Sequence, residues 1–270
     1  MREIYFMINL NILIVEGNPR EENNDFIKAG IPTHTESLKD SLAFFTKELT
    51  FDVVNPSSDK DIETIKSKLS NYDGLIWGGS SLNIYNYTPE IKRQIEFMRE
   101  CQKKVKNILA ICWGMQVAVT AAGGVVKKAN QSNIGIANEI VINDRGLLNP
   151  IYKNKKTNFN SPAFNFDEVE TLPNNCSLFA SNKINKIQSL YFETNVSKIW
   201  GLQYHPEISY EKMISLIEFR KQRLIENRKV FQNENEIQNH ILFIKKEISA
   251  SDKYQRMLEL KNWIDIIKLK

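Results

Sequence analysis

Residues 109–116 read Leu-Ala-Ile-Cys-Trp-Gly-Met-Gln, which is the most informative stretch of the chain. The apolar run before Cys112 predicts a buried strand, and the residues from Trp113 onward predict a helix. A thiol at a sharp strand-to-helix turn is pushed out of the sheet towards the helix amides, whose dipole favours the thiolate. Small flanking residues, here Ala110 and Gly114, are typical of such strained turns. Cys112 is therefore a candidate nucleophile, although a lone cysteine after an apolar run is more often an inert core residue.

A second segment, residues 199–207, reads Ile-Trp-Gly-Leu-Gln-Tyr-His-Pro-Glu and predicts a short apolar strand that ends in a polar turn. His205 is a natural base for a thiol, and the carboxylate of Glu207 can hold its other ring nitrogen. The chain has three histidines. We expect His34 to lie in a polar loop and His240 on a solvated helix surface. His205 is thus the histidine that ends a buried strand, although on its own it would be read as an ordinary strand-end residue.

Together the two segments resemble the class I, or triad, glutamine amidotransferases. That family's signature is Gly-x-Cys-x-Gly-x-Gln, together with a strand that ends in His-Pro-Glu. This chain carries both, with Ala110 in place of the first glycine. The resemblance implies that Cys112 is the nucleophile, that His205 is the base and that Glu207 orients the histidine. It also assigns Gln116, one turn into the helix, to binding of the glutamine substrate.

The resemblance extends upstream to residues 72–81, which predict a buried strand followed by a glycine pair. In the family this loop supplies one main-chain N–H to the oxyanion hole, and the residue after the cysteine supplies the other. The implied donors are Gly79 and Trp113, and the implied role of Gly78 is substrate binding. Attack on an amide carbonyl creates an oxyanion that fixed N–H donors stabilise. Taken alone, the glycine pair would equally suit an ordinary loop after a strand.

Within the family, the chain most resembles the GMP-synthase-like glutaminases, and residues 11–211 carry this resemblance. That branch has a His-Gly-Asp segment before the last strands, whereas this chain has Asn165-Phe166-Asp167 there. The missing histidine is not the catalytic one. The departure therefore bears on the substrate and the partner and leaves the thiol chemistry in place.

Apolar strands alternate with amphipathic helices through most of the chain. This pattern predicts an α/β fold with three layers, in which a mostly parallel central sheet has helices on both faces. We expect antiparallel strands and loops between residues 125 and 192. The predicted strands are 12–15, 51–55, 74–77, 107–111 and 199–203, and the predicted helices are 37–49, 59–69, 89–104 and 113–122. Sheets of this kind bind ligands at the carboxyl ends of their strands, where the glycine pair, Cys112 and His205 all lie.

The pattern changes to helices after the second motif. We expect residues 1–211 to form the amidotransferase domain and residues 212–270 to form a helical extension, with helices near 210–229, 234–247 and 256–267. The extension is expected to pack on the domain, and a platform for a partner is the alternative. An apolar stripe around Trp263 suits either a core or the seam of a homodimer.

The composition argues against several classes of protein. The 270 residues carry a net charge of +4; residues 208–270 hold 13 Lys+Arg and 9 Asp+Glu, and the rest hold 23 of each. So mild a bias predicts a solvated surface and no nucleic-acid partner. Three unevenly spaced cysteines and no histidine cluster predict a cytoplasmic protein without disulfides, metal or cofactor. No apolar stretch is long enough to span a bilayer, so we expect no membrane contact.

Three functions remain open from the sequence. The first is a glutaminase that supplies ammonia to a synthetase acting in trans, because the chain has no phosphate-binding loop of its own. The second is a stand-alone hydrolase of other γ-glutamyl amides, which the lack of a fused acceptor domain favours. The third is a catalytically silent binding or regulatory module, against which the complete set of Cys112, His205 and Glu207 argues.

Overall fold

Strands and helices alternate through residues 9–59 and 62–269, which are the parts of the chain that the computed structural model describes. The strands in these ranges are β1 (Leu10–Val15), β2 (Leu49–Val54), β3 (Gly74–Trp77), β4 (Asn107–Ile111), β5 (Val125–Ile134), β6 (Ala137–Ile142), β7 (Asn158–Ser161), β8 (Phe164–Thr171), β9 (Ser177–Ser181), β10 (Ser189–Glu193) and β11 (Lys198–Leu202). The helices are α1 (Arg20–Lys28), α2 (His34–Ala43), α3 (Ile62–Lys68), α4 (Pro89–Lys104), α5 (Trp113–Ala121), α6 (Asp144–Leu147), α7 (Tyr210–Phe219), α8 (Glu234–Ala250), α9 (Lys253–Arg256) and α10 (Leu258–Lys268).

Nine strands of the described residues form one sheet, in the order β2-β1-β3-β4-β11-β10-β9-β6-β7. The strands from β2 to β11 in this order pair parallel, and those from β11 to β7 pair antiparallel. β5 and β8 form a separate antiparallel ribbon. The predicted α/β fold, with a central sheet between helical layers, is confirmed. The antiparallel strands expected between residues 125 and 192 mostly extend the same sheet.

Helices cover both faces of the parallel half of the sheet. Alternate residues of β1 point to opposite faces, as the two-residue period of a strand requires. Leu13 and Val15 pack in one core cluster with α4 and α5, whereas Ile12 and Ile14 pack in another with α2 and α10. β3, β4 and β11 are neighbours in the middle of this layer, so the turns that follow them meet at one edge.

The N-terminal helices differ from the prediction. The helix expected over residues 37–49 is α2, which begins at His34 and ends at Ala43, and the last residue of that range already starts β2. Thr33 sets the start: its side chain accepts from the Glu36 amide while the Glu36 carboxylate accepts from Thr33, which is a capping box. The helix expected over 59–69 is α3, and residues 60 and 61 lie outside the described ranges. The sequence pattern did not reveal α1.

The last helix, α10, packs onto the sheet with its apolar stripe. Trp263 and Ile267 on α10 are buried in the cluster beneath β1 and β3. A side chain at Gly74 would collide with the Trp263 ring at 2.6 Å, so the glycine makes room for the indole. The stripe around Trp263 is therefore core. The division into domains at residue 211 stays a prediction. No helix in the described ranges is long and apolar enough to cross a membrane.

Candidate active site

Cys112 lies between β4 and α5 in a strained backbone conformation. Its φ of 52° and ψ of −103° are unusual for a residue with a side chain. Its N–H donates to the Leu202 carbonyl at 2.6 Å, which ties the turn to β11. A side chain at Gly114 would strike the main chain of Trp77, which explains the glycine two residues on. The turn thus projects the thiol out of the sheet at the start of α5, as in a nucleophile elbow.

His205 and Glu207 form a buried hydrogen-bonded pair in the turn after β11. His205 Nδ1 lies 2.7 Å from Glu207 Oε1, and both residues are almost fully buried. The His205 N–H donates to the Pro162 carbonyl at 2.7 Å, which fixes the main chain. Because Glu207 holds Nδ1, the other ring nitrogen is left to interact with the Cys112 side chain, which is near enough to raise the pKa of His205. The structure therefore brings the three predicted triad residues together.

The charges of this site keep His205 protonated. Burial alone would lower the pKa of the imidazole, but the negative charges of Glu207 and Cys112 outweigh it and raise the pKa to about 10. At neutral pH the ring is therefore an imidazolium, and it faces a thiol that becomes a nucleophile as its thiolate. An imidazolium beside a thiolate is the arrangement that activates a cysteine and stores the proton for a leaving amine.

One predicted oxyanion donor follows the thiol directly in sequence, and the other lies against the His205 ring. Trp113 is the first residue of α5, and the first N–H groups of a helix have no intrahelical acceptor. A side chain at Gly79 would lie 2.7 Å from His34 Cε1 and 2.8 Å from His205 Cε1. A glycine is needed there because the main chain passes directly over two imidazole rings. These positions suit donors to an oxyanion, and the role of both residues stays a prediction.

The residues predicted to bind substrate occupy different positions. Gln116 lines the same cleft as Cys112, and its Nε2 lies 3.4 Å from Oε1 of Gln203. Gly78 has its N–H bonded to the Val15 carbonyl and its own carbonyl bonded to the Gly114 N–H. Its main chain thus fixes the loop, and a direct contact with substrate stays a prediction.

Gln203 is a site residue that sequence reasoning missed. Its side chain is fully buried, and its Nε2 lies 3.4 Å from the Cys112 sulfur. It is the second residue before His205 in the motif segment, so its place near the strand end was the available signal.

His34 is a second missed residue, and the expected polar loop around it was wrong. It is the first residue of α2, and its ring stacks on His205 with centroids 5.6 Å apart. Burial, together with the positive charges of Lys212, His205 and Arg220, holds the pKa of His34 well below its ordinary value. The capping box that begins with Thr33 was the signal that places His34 on a helix.

His34 and His205 are also potential metal ligands. The sequence predicts no metal site, but the fold brings ligand atoms of His34, His205 and Glu207 within 4.8 Å of one another. Two imidazoles and a carboxylate are a donor set that suits zinc. Coordination there would compete with the hydrogen bond between His205 and Glu207.

Residues on α9 and α10 form hydrogen bonds with the turn that contains His205. Tyr204, the preceding residue, donates to Glu259 on α10 at 2.7 Å. Glu259 also pairs with Lys155 at 2.9 Å, and both charged side chains are buried. The Arg256 guanidinium donates to the carbonyls of Pro206 and Ile208. The triad turn is therefore fixed by residues that follow it in sequence by about fifty positions.

The family model "Glutamine amidotransferase class-I" matches residues 33–223. The chain belongs to this family. Its matched region contains Cys112, His205 and Glu207, whereas Glu259 and Arg256 lie outside it. The class I glutamine amidotransferases are enzymes, and the cysteine chemistry that the geometry suggests agrees with this family.

Two relatives of the chain differ in how much of each protein is matched. The chain is 30% identical over 207 residues to a Pseudomonas γ-glutamyl-L-1-hydroxyisopropylamide hydrolase, which covers 75% of this chain and 69% of the relative. It is 32% identical over 146 residues to a glutamine-hydrolysing GMP synthase from Borreliella burgdorferi, and this match covers 54% of this chain. The match spans only 26% of that synthase.

A solved structure from Thermotoga maritima, described as a glutamine amidotransferase, shares the fold. The TM-score is 0.66 with 18% sequence identity, and the superposition covers 96% of this chain and 98% of that one. The likeness therefore includes most of the C-terminal helices as well as the central sheet.

Proposed function

We propose that this protein hydrolyses the side-chain amide of glutamine through Cys112, His205 and Glu207, and supplies the ammonia to a synthetase acting in trans. One observation carries the proposal. A buried histidine is held at Nδ1 by Glu207 at 2.7 Å, and a cysteine on a strained turn helps to raise its pKa to about 10.

Acylation begins with attack of the Cys112 thiolate on the amide carbon. A carbon–sulfur bond forms and the carbonyl electrons move onto oxygen, where the N–H groups of Gly79 and Trp113 stabilise the charge. The intermediate collapses, the carbon–nitrogen bond breaks, and the His205 proton passes to the departing nitrogen. Ammonia leaves and a thioester remains.

Deacylation regenerates the resting state. The neutral His205 ring accepts a proton from water, and the resulting hydroxide attacks the thioester carbonyl. The carbon–sulfur bond breaks, and glutamate leaves with the Cys112 thiolate restored beside the imidazolium. Glu207 keeps the ring in one orientation through both half-reactions.

The acceptor of the ammonia is the finer part of the proposal. The resemblance to GMP synthase supports a synthetase of that type as the partner, since the match falls within a quarter of the synthase's length. In this proposal a partner polypeptide supplies the rest of such an enzyme. Addition of the partner should raise glutamine turnover, because a partner can order the oxyanion loop.

A second candidate is a stand-alone hydrolase of larger γ-glutamyl amides. The Pseudomonas relative, whose name describes such a hydrolase, matches a larger share of this chain than the synthase does. The chemistry is the same, with an amine in place of ammonia as the leaving group.

Two further expectations accompany the proposal. All three cysteines are free thiols, which supports a reducing, cytoplasmic location. A homodimer also stays a proposal. Its interface would not include the Trp263 stripe, because that stripe is buried within the chain. Sedimentation at several protein concentrations would decide it.

The test is glutamate release from glutamine and from a panel of γ-glutamyl amides, with ammonia measured in parallel. Turnover of glutamine supports the glutaminase. Turnover of only the larger amides supports the second candidate. No turnover of either, with or without a synthetase, would overturn both and leave the silent module.

A further inference from the structure

The cleft that contains Cys112 has one wall built from the segment after α7. Arg220, Arg223 and Leu224 line it together with Cys112 and Gln116. The family match ends at residue 223, so this wall lies at the limit of the shared domain. Part of the cleft is therefore formed by the segment that follows α7, at the end of the matched region.

An unusual helical turn places this wall. α7 ends at Phe219, and Arg223–Asn227 then forms a π-helical turn. The Arg228 N–H donates to the Arg223 carbonyl at 2.9 Å, which closes the turn, and Leu224 within it is buried. π-helical turns are rare, and they occur frequently at functional sites. The wider turn leaves Arg223 on the cleft.

Two of the three arginines in this segment already have partners. Arg220 pairs with Glu22 at 2.7 Å and lies over the Phe164 ring. Arg228 donates to the Asn83 side chain at 2.8 Å. Arg223 has no hydrogen bond or ion pair with its side chain anywhere in residues 9–59 and 62–269. Its guanidinium is therefore the cation of this wall that is available to a ligand.

The electrostatics agree with this geometry. The pKa of Arg223 is lowered, mainly by burial and then by the positive charges of Arg220 and Arg228. The negative charge of Glu22 has a smaller, opposite effect. Crowding of like charges favours an anion at this position. A guanidinium can hold a carboxylate through two parallel hydrogen bonds.

The same cleft holds one carboxylate. Asp167 lines it and accepts from the Asn83 amide at 2.7 Å and from the Tyr85 hydroxyl at 3.0 Å. L-Glutamine carries an ammonium and a carboxylate on its α-carbon. A cleft with one carboxylate and one unpaired guanidinium has the charges that match those two groups.

We infer that Arg223 binds the α-carboxylate of the γ-glutamyl substrate and makes the enzyme select substrates in which this group is free. The inference rests on the proposed function, and it assigns the C-terminal segment to substrate selection. Arg223 is a binding residue that does not touch the scissile amide. Its loss should therefore affect binding more than the chemical step.

The experiment compares Arg223→Ala, Arg223→Lys and the control Lys221→Ala. Lys221 lies two residues away, pairs with Glu234 at 3.3 Å and does not line the cleft. Each enzyme is given L-glutamine and L-glutaminamide, in which the α-carboxylate is an amide, and also γ-glutamylglycine, which adds a carboxylate on the amine side.

We expect Arg223→Ala to lower kcat/KM for L-glutamine about 10- to 100-fold, mainly through KM, because a hydrogen bond to a charged group is lost. Turnover of L-glutaminamide should change less than about twofold. Arg223→Lys should restore part of the preference, since it keeps the charge without the planar fork. Lys221→Ala should behave as wild type.

Equal losses for glutamine and glutaminamide would overturn the inference and make Arg223 structural. A loss confined to γ-glutamylglycine would also overturn it and place the arginine at the amine side. If no wild-type turnover is found, the proposed function fails. The dissociation constants of L-glutamine and L-glutaminamide for Cys112→Ala, with and without Arg223→Ala, then still decide the arginine's role.

Discussion

The imidazole of His34 stacks on that of His205, with an interplanar angle of 23°. The two rings carry opposite protonation tendencies: the pKa of His34 is held well below its ordinary value, and that of His205 is raised to about 10. Both rings lie against Gly79. The neutral ring therefore packs the protonated one against the loop that is proposed to hold the oxyanion.

The buried His34 should make the fold sensitive to acid. Its pKa is lower in the folded state than in the unfolded chain, so only the unfolded chain takes up a proton as the pH falls below about 6.5. The free energy of unfolding should then fall by about 1.4 kcal/mol per pH unit from this residue alone. In His34→Phe this contribution to the pH dependence of the free energy of unfolding should vanish. Urea titrations from pH 7 to pH 5 measure it.

The control for that titration is His240→Gln, which leaves His34 in place and should keep the wild-type slope. An unchanged slope in His34→Phe would show that His34 is not held neutral by the fold.

Glu207→Gln should shift the alkaline limit of activity. The His205 proton is needed for the departing amine, so kcat/KM should fall as the pH rises through about 10 in the wild type. Removal of the Glu207 charge takes away the largest influence that raises this pKa, so the limb should move to lower pH. A pH profile of kcat/KM measures it, and an unmoved alkaline limb in Glu207→Gln would contradict the assignment of His205 as the acid.

Gly79→Ala should damage catalysis more than Gly78→Ala. A methyl group at Gly79 would lie 2.7 Å from the His34 ring and 2.8 Å from the His205 ring, whereas at Gly78 the nearest atom would be 3.3 Å away. The first change must move the imidazoles or the loop, and one lost oxyanion donor costs about 10²- to 10³-fold in kcat. The measurement is kcat for both variants. Equal kcat values would show that the loop above the rings does not need its present position.

The buried pair of Lys155 and Glu259 should be costly to break on one side. Glu259→Gln leaves the Lys155 charge buried without its counterion, and such losses amount to about 3–5 kcal/mol. Adding Lys155→Met removes the stranded charge, so the double variant should recover part of the free energy of unfolding. Denaturant titrations of both variants test this, and a double variant less stable than Glu259→Gln would contradict it.

The strands and helices with clear boundaries were predicted well from the sequence. β3, β4 and α4 have the predicted bounds, because an apolar run ends at a turn in the strands and Thr88-Pro89 begins the helix. The start of α2 was missed because its signal is local and polar: the capping box lies in residues 33–36, ahead of the apolar positions.

The site could be predicted only as far as its motifs reach. The two motif segments place Cys112 and His205 at one sheet edge, because β4 and β11 pair in parallel. His34 packs against Phe26, and its lowered pKa depends in part on the charge of Lys212 on α7, which is distant in sequence. The position of Arg223 depends on a π-helical turn, for which residue periodicity gives no signal.

Amide hydrolysis through the Cys112 thiol is tested most directly by measuring glutamate release from L-glutamine and the γ-glutamyl amide panel. The wild type is compared with Cys112→Ala. We expect turnover by the wild type, a thioester that hydroxylamine traps as the γ-glutamyl hydroxamate, and no turnover by the variant. Undiminished glutamate release by Cys112→Ala would contradict it, because the amide would then be cleaved without the thiol.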